Sequence, residues 1–278
     1  MDIEKNRRQK AQKFHIEKDA EGSKQHHMHQ PCATNTENHS NVGELIKSVV
    51  LGGLDGIITT FAIVCAVAGS GELGSKVIIM MGVANLVADA ISMGLGDYLS
   101  EKAEMEYVAQ EQAREQWEMD NFIEGEISEM ADIYVQKGFT RPDALDILNM
   151  MVLNRQFFLE HMMVQEIGVM PVDENAQPAL KGAVTFTSFI CFGSVPLLVY
   201  IGLYNTMDQT VVFSIASGAV SLTLFSLGCL KAKLIQQDPV AIVKSGVVMF
   251  LNGAFACSTS YLLGWSLESL LDVEACGS

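Results

Sequence analysis

Five apolar blocks constrain this chain more than any other feature: Ser48 to Ala68, Val77 to Leu99, Gly182 to Tyr204, Thr210 to Leu230 and Ser245 to Leu267. Each is about 20 residues, the length an α-helix rising about 1.5 Å per residue needs to cross the hydrocarbon core of a bilayer. The last three contain no charged residue. A core helix of a soluble protein keeps one polar face, so blocks of this length and purity predict an all-α integral membrane protein with five transmembrane helices.

A net charge of −15 sits oddly with membranes until its location is considered. Between Glu101 and Glu174 there are 17 acidic residues against five basic ones, Lys102, Arg114, Lys137, Arg141 and Arg155, while the rest of the chain is nearly neutral. Such an island repels nucleic-acid phosphates and anionic lipid and attracts cations. The six cysteines form no CxxC pair, and four of them (Cys65, Cys191, Cys229, Cys257) fall inside the apolar blocks, where they read as small packing residues; neither a disulfide framework nor a zinc site is expected.

The first 40 residues are polar, have no apolar core of signal-peptide length and read as a disordered tail. Its charges bear on topology. Lys5, Arg7, Arg8, Lys10, Lys13, Lys18, Lys24 and Lys47 precede the first span, whereas the loop to the second holds only Lys76. The positive-inside rule therefore puts the N-terminus in the cytosol, and five spans put the C-terminus on the lumenal or external side. The Glu101 to Lys181 insertion is then cytosolic. It reads as three helices: Tyr98 to about Phe122 running straight on from the second span, Glu126 to Lys137 after Gly125, and Arg141 to Gly168, with Pro142 near a start and Gly168 near an end.

Three constellations carry chemistry. Gly52-Gly53-Leu54-Asp55-Gly56 sets a carboxylate inside an apolar helix. Such a group costs about 2.5 to 3.5 kcal/mol at a helix centre on insertion scales, so it faces a polar pathway or a partner unless it lies near enough the interface to reach water or a lysine. Gly52 and Gly56 have GxxxG spacing and admit another helix closely. On the second span Asn85, Asp89, Met93 and Asp97 recur every four residues as a polar and thioether stripe. A carboxylate with a thioether one turn on suits a first-row divalent ion, although a lone membrane methionine also serves simply as packing. In the insertion, Glu104, Glu111, Glu115 and Glu118 share one helix face, Glu126 and Glu129 repeat the i, i+3 spacing, and Met162, Met163 and Glu166 put two thioethers within a turn of a carboxylate. Like charges so spaced destabilise a helix by a few tenths of a kcal/mol each; a bound cation or a solvated acidic face both account for them. Trp117 reads as a core or interface residue. His26, His27 and His29 flank Met28 in the tail, where ordering costs weaken any metal site.

The runs GGLDGIITTFAIV (Gly52 to Val64) and ANLVADAISMGLGDYLS (Ala84 to Ser100), followed by an acidic helical insertion, resemble the vacuolar iron transporter family over roughly Glu44 to Leu267. The resemblance implies a homodimer of five-span subunits that moves Fe²⁺ from the cytosol into a vacuole-like store in exchange for protons, with its pathway at the dimer interface. It maps the pathway onto Asp55 and Met93, to which the stripe adds Asp89, and the cytosolic metal ligands onto Glu115, Glu118, Glu126, Glu129, Met162, Met163 and Glu166. Relatives often carry Glu where this chain has Asn85. The implied organisation is a cytosolic tail (1–43), spans one and two (44–100), a cytosolic helical metal-binding domain (101–180), spans three to five (181–268) and a lumenal tail (269–278). The partners are a second subunit, membrane lipid, Fe²⁺ and H⁺; Fe²⁺ is cargo and no resident cofactor is expected, although other divalent metals can bind the domain. Glu and Met ligands do not separate Fe²⁺ from Mn²⁺ or Zn²⁺ by affinity order. A metal buffer without transport is the other alternative, and carboxylates inside the spans argue against it. No nucleophile and base pair or phosphate-binding glycine loop supports an enzyme.

Overall fold

A computed structural model of the chain describes residue 21 and residues 42–70, 74–171, 176–203, 205–235 and 238–276. The expectations for the N-terminal tail, including the His26 to His29 cluster, lie outside the described residues apart from Glu21. Among the described residues of the unit Asn41–Ser278, every regular element is helical. In chain order these are α1 (Val42–Ser70), α2 (Ser75–Gln136), α3 (Arg141–Met151), α4 (Arg155–Met162) with a π-turn at Met163–Ile167, α5 (Pro178–Leu203), α6 (Gln209–Ile235) and α7 (Pro239–Cys276). Five of them, α1, α2, α5, α6 and α7, are long and apolar enough to cross a membrane.

Helix α1 is the hub of the membrane bundle. It packs most extensively on α5 and α7 and also touches α2 and α6. The GxxxG spacing explains the first of these contacts: a Cβ at Gly52 would stand 2.6 Å from the Thr185 carbonyl oxygen, and one at Gly56 2.5 Å from that of Phe189. Backbones meet because no side chain intervenes. Gly69 and Gly264 play the same part between α1 and α7, each lying against backbone of the other helix.

That second approach overturns one expectation. Cys65 and Cys257, 192 residues apart, are joined in a disulfide between α1 and α7. Their Cα atoms are 5.7 Å apart, a separation set by the glycine contact and therefore invisible in cysteine spacing. Cys191 and Cys229 are free.

Residues 75–136 form a helix about 90 Å long if straight, three times the ~30 Å hydrocarbon core, so α2 necessarily leaves the membrane. Its break is local: Phe122 has φ −148° and ψ 57°, outside the helical region, and its ring lies over Gly125, where a Cβ would collide. The helix beyond Gly138 does not run unbroken to Gly168. Thr140 caps α3 by accepting from Asp143 N–H, and a turn at 152–154 interrupts it before Asn154 caps α4 by accepting from Phe157 N–H at 3.2 Å. Gly168, with φ +76°, ends the π-turn in the left-handed region that favours glycine. Helix α7 continues to Cys276, through most of the stretch expected as a tail.

The helices outside the bundle build a second core of Met119, Met130, Ala131, Ala144, Leu148, Phe158, Leu159 and Met162, joining the far end of α2 to α3 and α4. Trp117 is not part of it and is 65% exposed.

Candidate metal centre and membrane pathway

The break at Phe122 brings the carboxylates of the insertion together. In an unbroken helix Glu115 and Glu126 would stand about 16 Å apart along the axis. Here carboxylate oxygens of Glu115, Glu118 and Glu126 lie within 4.8 Å of one another, and those of Glu126, Glu129 and Glu166 do likewise. Glu126 belongs to both groups, so five carboxylates from two segments of α2 and the π-turn converge on one place. Glu115 is 1% exposed and Glu126 6%.

Burial raises the proton affinity of Glu126 and Glu166. The Glu126 carboxyl is pushed up to about 7, first by desolvation and then by repulsion from Glu115, Glu166, Glu129 and Glu118. Glu166 is raised for the same reasons, desolvation leading, with Arg114 pulling the other way. A buried carboxylate oxygen without a hydrogen-bond donor is costly, and Oε2 of Glu115 has none. The arrangement offers hard oxygen donors and excess negative charge, which is what a divalent cation would neutralise.

The sulfur residues are split. Met162 is fully buried in the second core beside Met119 and Met130, and Met163 is fully buried at the head of the π-turn that carries Glu166. Of the four glutamates expected on one face, Glu104 stays exposed, and Glu111 pairs with Arg114 at 2.9 Å. His161 is engaged elsewhere, 2.7 Å from the Tyr134 hydroxyl and stacked on Phe157.

In the spans, the stripe on α2 separates into two parts. Asn85 Nδ2 donates to Asp89 Oδ2 at 2.5 Å, and Asp89 is within electrostatic reach of Asp55 on α1. Asp55 is half-buried, off the glycine face that meets α5. Met93 packs partly against the small core of Leu86, Ala90, Phe189 and Leu197. Asp97, by contrast, turns inward and accepts from Thr185 Oγ1 of α5 at 2.5 Å and from Ser48 Oγ of α1 at 3.3 Å. It is a tie between three helices. One turn further, Lys181 of α5 pairs with Glu101 of α2 at 2.6 Å.

A sequence profile of the VIT family matches residues 46–265. The chain belongs to the VIT family. The match reaches into all five apolar helices and takes in the whole carboxylate cluster. Among curated relatives, the "Vacuolar iron transporter" of Toxoplasma gondii is 40% identical over 84% of this chain and 78% of its own length. That of Plasmodium berghei is 38% identical over 93% and 96%, and "Vacuolar iron transporter 1" of Arabidopsis thaliana 32% over 82% and 88%.

Within this VIT-family chain, one signal goes beyond the glutamate spacing. The segments Glu115-Gln116-Trp117-Glu118-Met119 and Glu126-Ile127-Ser128-Glu129-Met130 repeat the pattern ExxEM on either side of the break. In both copies the first Glu and the Met are buried, so the pattern marks the side of each segment that faces the domain interior. Arg114 and its pairing to the cluster carry no such mark.

Proposed function

We propose that this chain carries Fe²⁺ out of the cytosol and into a vacuole-like store, in exchange for protons, as a homodimer whose acidic domain collects the ion. The observation that carries the reading is the convergence of Glu115, Glu118, Glu126, Glu129 and Glu166 at the end of a helix continuous with the second span. The names of the relatives supply the ion and the compartment. Met162 and Met163 supply soft donors at the floor of the domain once the cluster is loaded.

Asp55 and Asp89 are the groups the pathway would use, with Met93 beside them. Two acids in electrostatic contact inside a span compete for cations or protons, since each bound positive charge relieves the same repulsion. That competition is the basis proposed for antiport: an acidic lumen protonates the carboxylates and releases the metal. The basic residues before α1 support a cytosolic N-terminus, and an odd number of spans would then leave the C-terminus in the lumen.

Transport decides between a carrier and a buffer. Purified protein in sealed liposomes with an imposed pH gradient is expected to accumulate Fe²⁺, and to accumulate Mn²⁺ or Zn²⁺ less well at matched free concentration. Metal binding without uptake would leave a buffer; uptake independent of the gradient would remove the antiport.

A further inference from the structure

The carboxylate cluster has a cation of its own. Nη2 of Arg114 stands 2.8 Å from Oε1 of Glu115 and 2.9 Å from Oε2 of Glu111, so one guanidinium nitrogen is shared by two acids. The other oxygen of Glu115 is buried and unpartnered, in the group formed with Glu118 and Glu126. The remaining Lys and Arg side chains of the insertion are engaged with other partners: Lys102 with Glu106, Lys137 with Gln165, Arg141 with Asp132, Arg155 with Asp120 and Lys181 with Glu101. The charge of Arg114 also reaches Glu118 and Glu166.

We propose that Arg114 is the internal counter-cation of the cluster: it holds one oxygen of Glu115 in the empty state and yields it when a divalent cation loads, thereby limiting how tightly the domain retains its ion. The inference rests on the metal-collecting reading above. The pair is not a surface one, since Glu115 is 1% exposed; Arg114 supplies charge to a buried carboxylate from a side chain that is itself 54% exposed. Its exposure also makes displacement easy. The freed guanidinium swings toward water while keeping Glu111, and no charge has to be buried.

Glu115 held by one oxygen is a monodentate ligand; released, it can offer both. A collector that passes its ion onward needs this kind of brake, because binding that is too tight slows release. Arg114 acts through Glu115, which makes it a positioning residue.

The test uses the full-length protein in detergent, with Mn²⁺ as the probe and free Mn²⁺ read by its paramagnetic resonance signal. Arg114→Met, of similar length but without charge or donors, is expected to lower the Mn²⁺ dissociation constant on the order of tenfold, mainly through slower release. In liposomes it should lower both KM and kcat for Mn²⁺ uptake, a split that a merely structural lesion would not produce. Glu111→Gln, which leaves Arg114 wholly to Glu115, should weaken binding in the wild-type background and do so less in the Arg114→Met background. If Arg114→Met fails to fold, Arg114→Gln carries the same expectations. Unchanged or weaker binding in a folded, stoichiometrically intact variant overturns the role of Arg114. Wild-type protein that binds no Mn²⁺ overturns the metal-collecting reading instead.

Discussion

The domain built by the far end of α2 with α3 and α4 and the membrane spans both hold carboxylates away from bulk water, but they satisfy them differently. In the bundle Asp89 and Asp97 have neutral donors, Asn85 for the first and Thr185 and Ser48 for the second, while Asp55 lies within electrostatic reach of Asp89. In the domain, acids face acids, and Glu115 keeps an oxygen with no donor at all. The cluster draws all its residues from one chain and is short of positive charge, which on the proposed reading a cation supplies. The spans are incomplete differently, since the stripe of Asn85, Asp89 and Met93 borders an exposed flank of α2 with Met81, Val87 and Ile91. An intramembrane carboxylate beside such a flank calls for a covering surface, which a second subunit would supply. On the proposed reading, capture would belong to a single subunit and passage to the assembly.

Four measurements break or sharpen that contrast. The largest effect is expected from Asp55→Ala, which should abolish Fe²⁺ uptake by liposomes while leaving Mn²⁺ binding to the domain intact; loss of both would dissolve the division of labour. Next, Glu115→Gln together with Glu126→Gln should weaken Mn²⁺ binding by more than about tenfold, because two of the buried ligands lose their charge. Transport by this variant should fall most at low metal and recover at high metal, as read from uptake against concentration.

Proton binding probes the domain alone. Glu126 is raised from 4.5 to about 7 in the folded protein, so its protonated form stabilises the empty domain. That contribution is fully present below about pH 4.5 and is lost as the pH rises through about 7. Thermal melts of metal-free protein should fall over that window, less steeply in Glu126→Gln, and saturating Mn²⁺ should protect most at the alkaline end, where no proton has to leave. A melt flat in pH would mean that the acids of the domain are as well satisfied as those of the spans. The smallest effects are expected in the bundle. Gly56→Leu forces α1 away from the Phe189 carbonyl at a cost of about 1 to 3 kcal/mol, and Asp97→Asn, which keeps one acceptor oxygen for Thr185, costs about 1 kcal/mol, both measurable by unfolding in detergent.

The five spans were legible because a bilayer imposes one length and one composition, and Ser48 to Leu267 shows both five times over. The glycine contact of α1 was legible for a similar reason: Gly52 and Gly56 fall on one face by helical arithmetic, and a bare face invites a backbone. The glutamates were legible as a pattern, but spacing along a helix does not say which acids meet. Glu104 and Glu111 share the face of Glu115 and Glu118 and do not join the two carboxylate groups, whereas Glu126 does, because a single residue, Phe122, leaves helical geometry.

What the amino-acid order determined by itself is thus periodic and local: membrane helices, their glycine faces, the acidic island and the residues able to ligate metal. What only the tertiary structure decided depends on helices meeting far apart in sequence. Cys65 reaches Cys257 through a glycine contact that neither cysteine announces. Asp97 becomes a structural tie while Asp89, two turns away on the same stripe, stays with Asn85 near Asp55. Arg114 becomes part of the cluster because Glu115 is buried where its guanidinium can reach it. A carboxylate's role follows from the charge and dielectric around it, and those are set by neighbours that the chain brings together only when it folds.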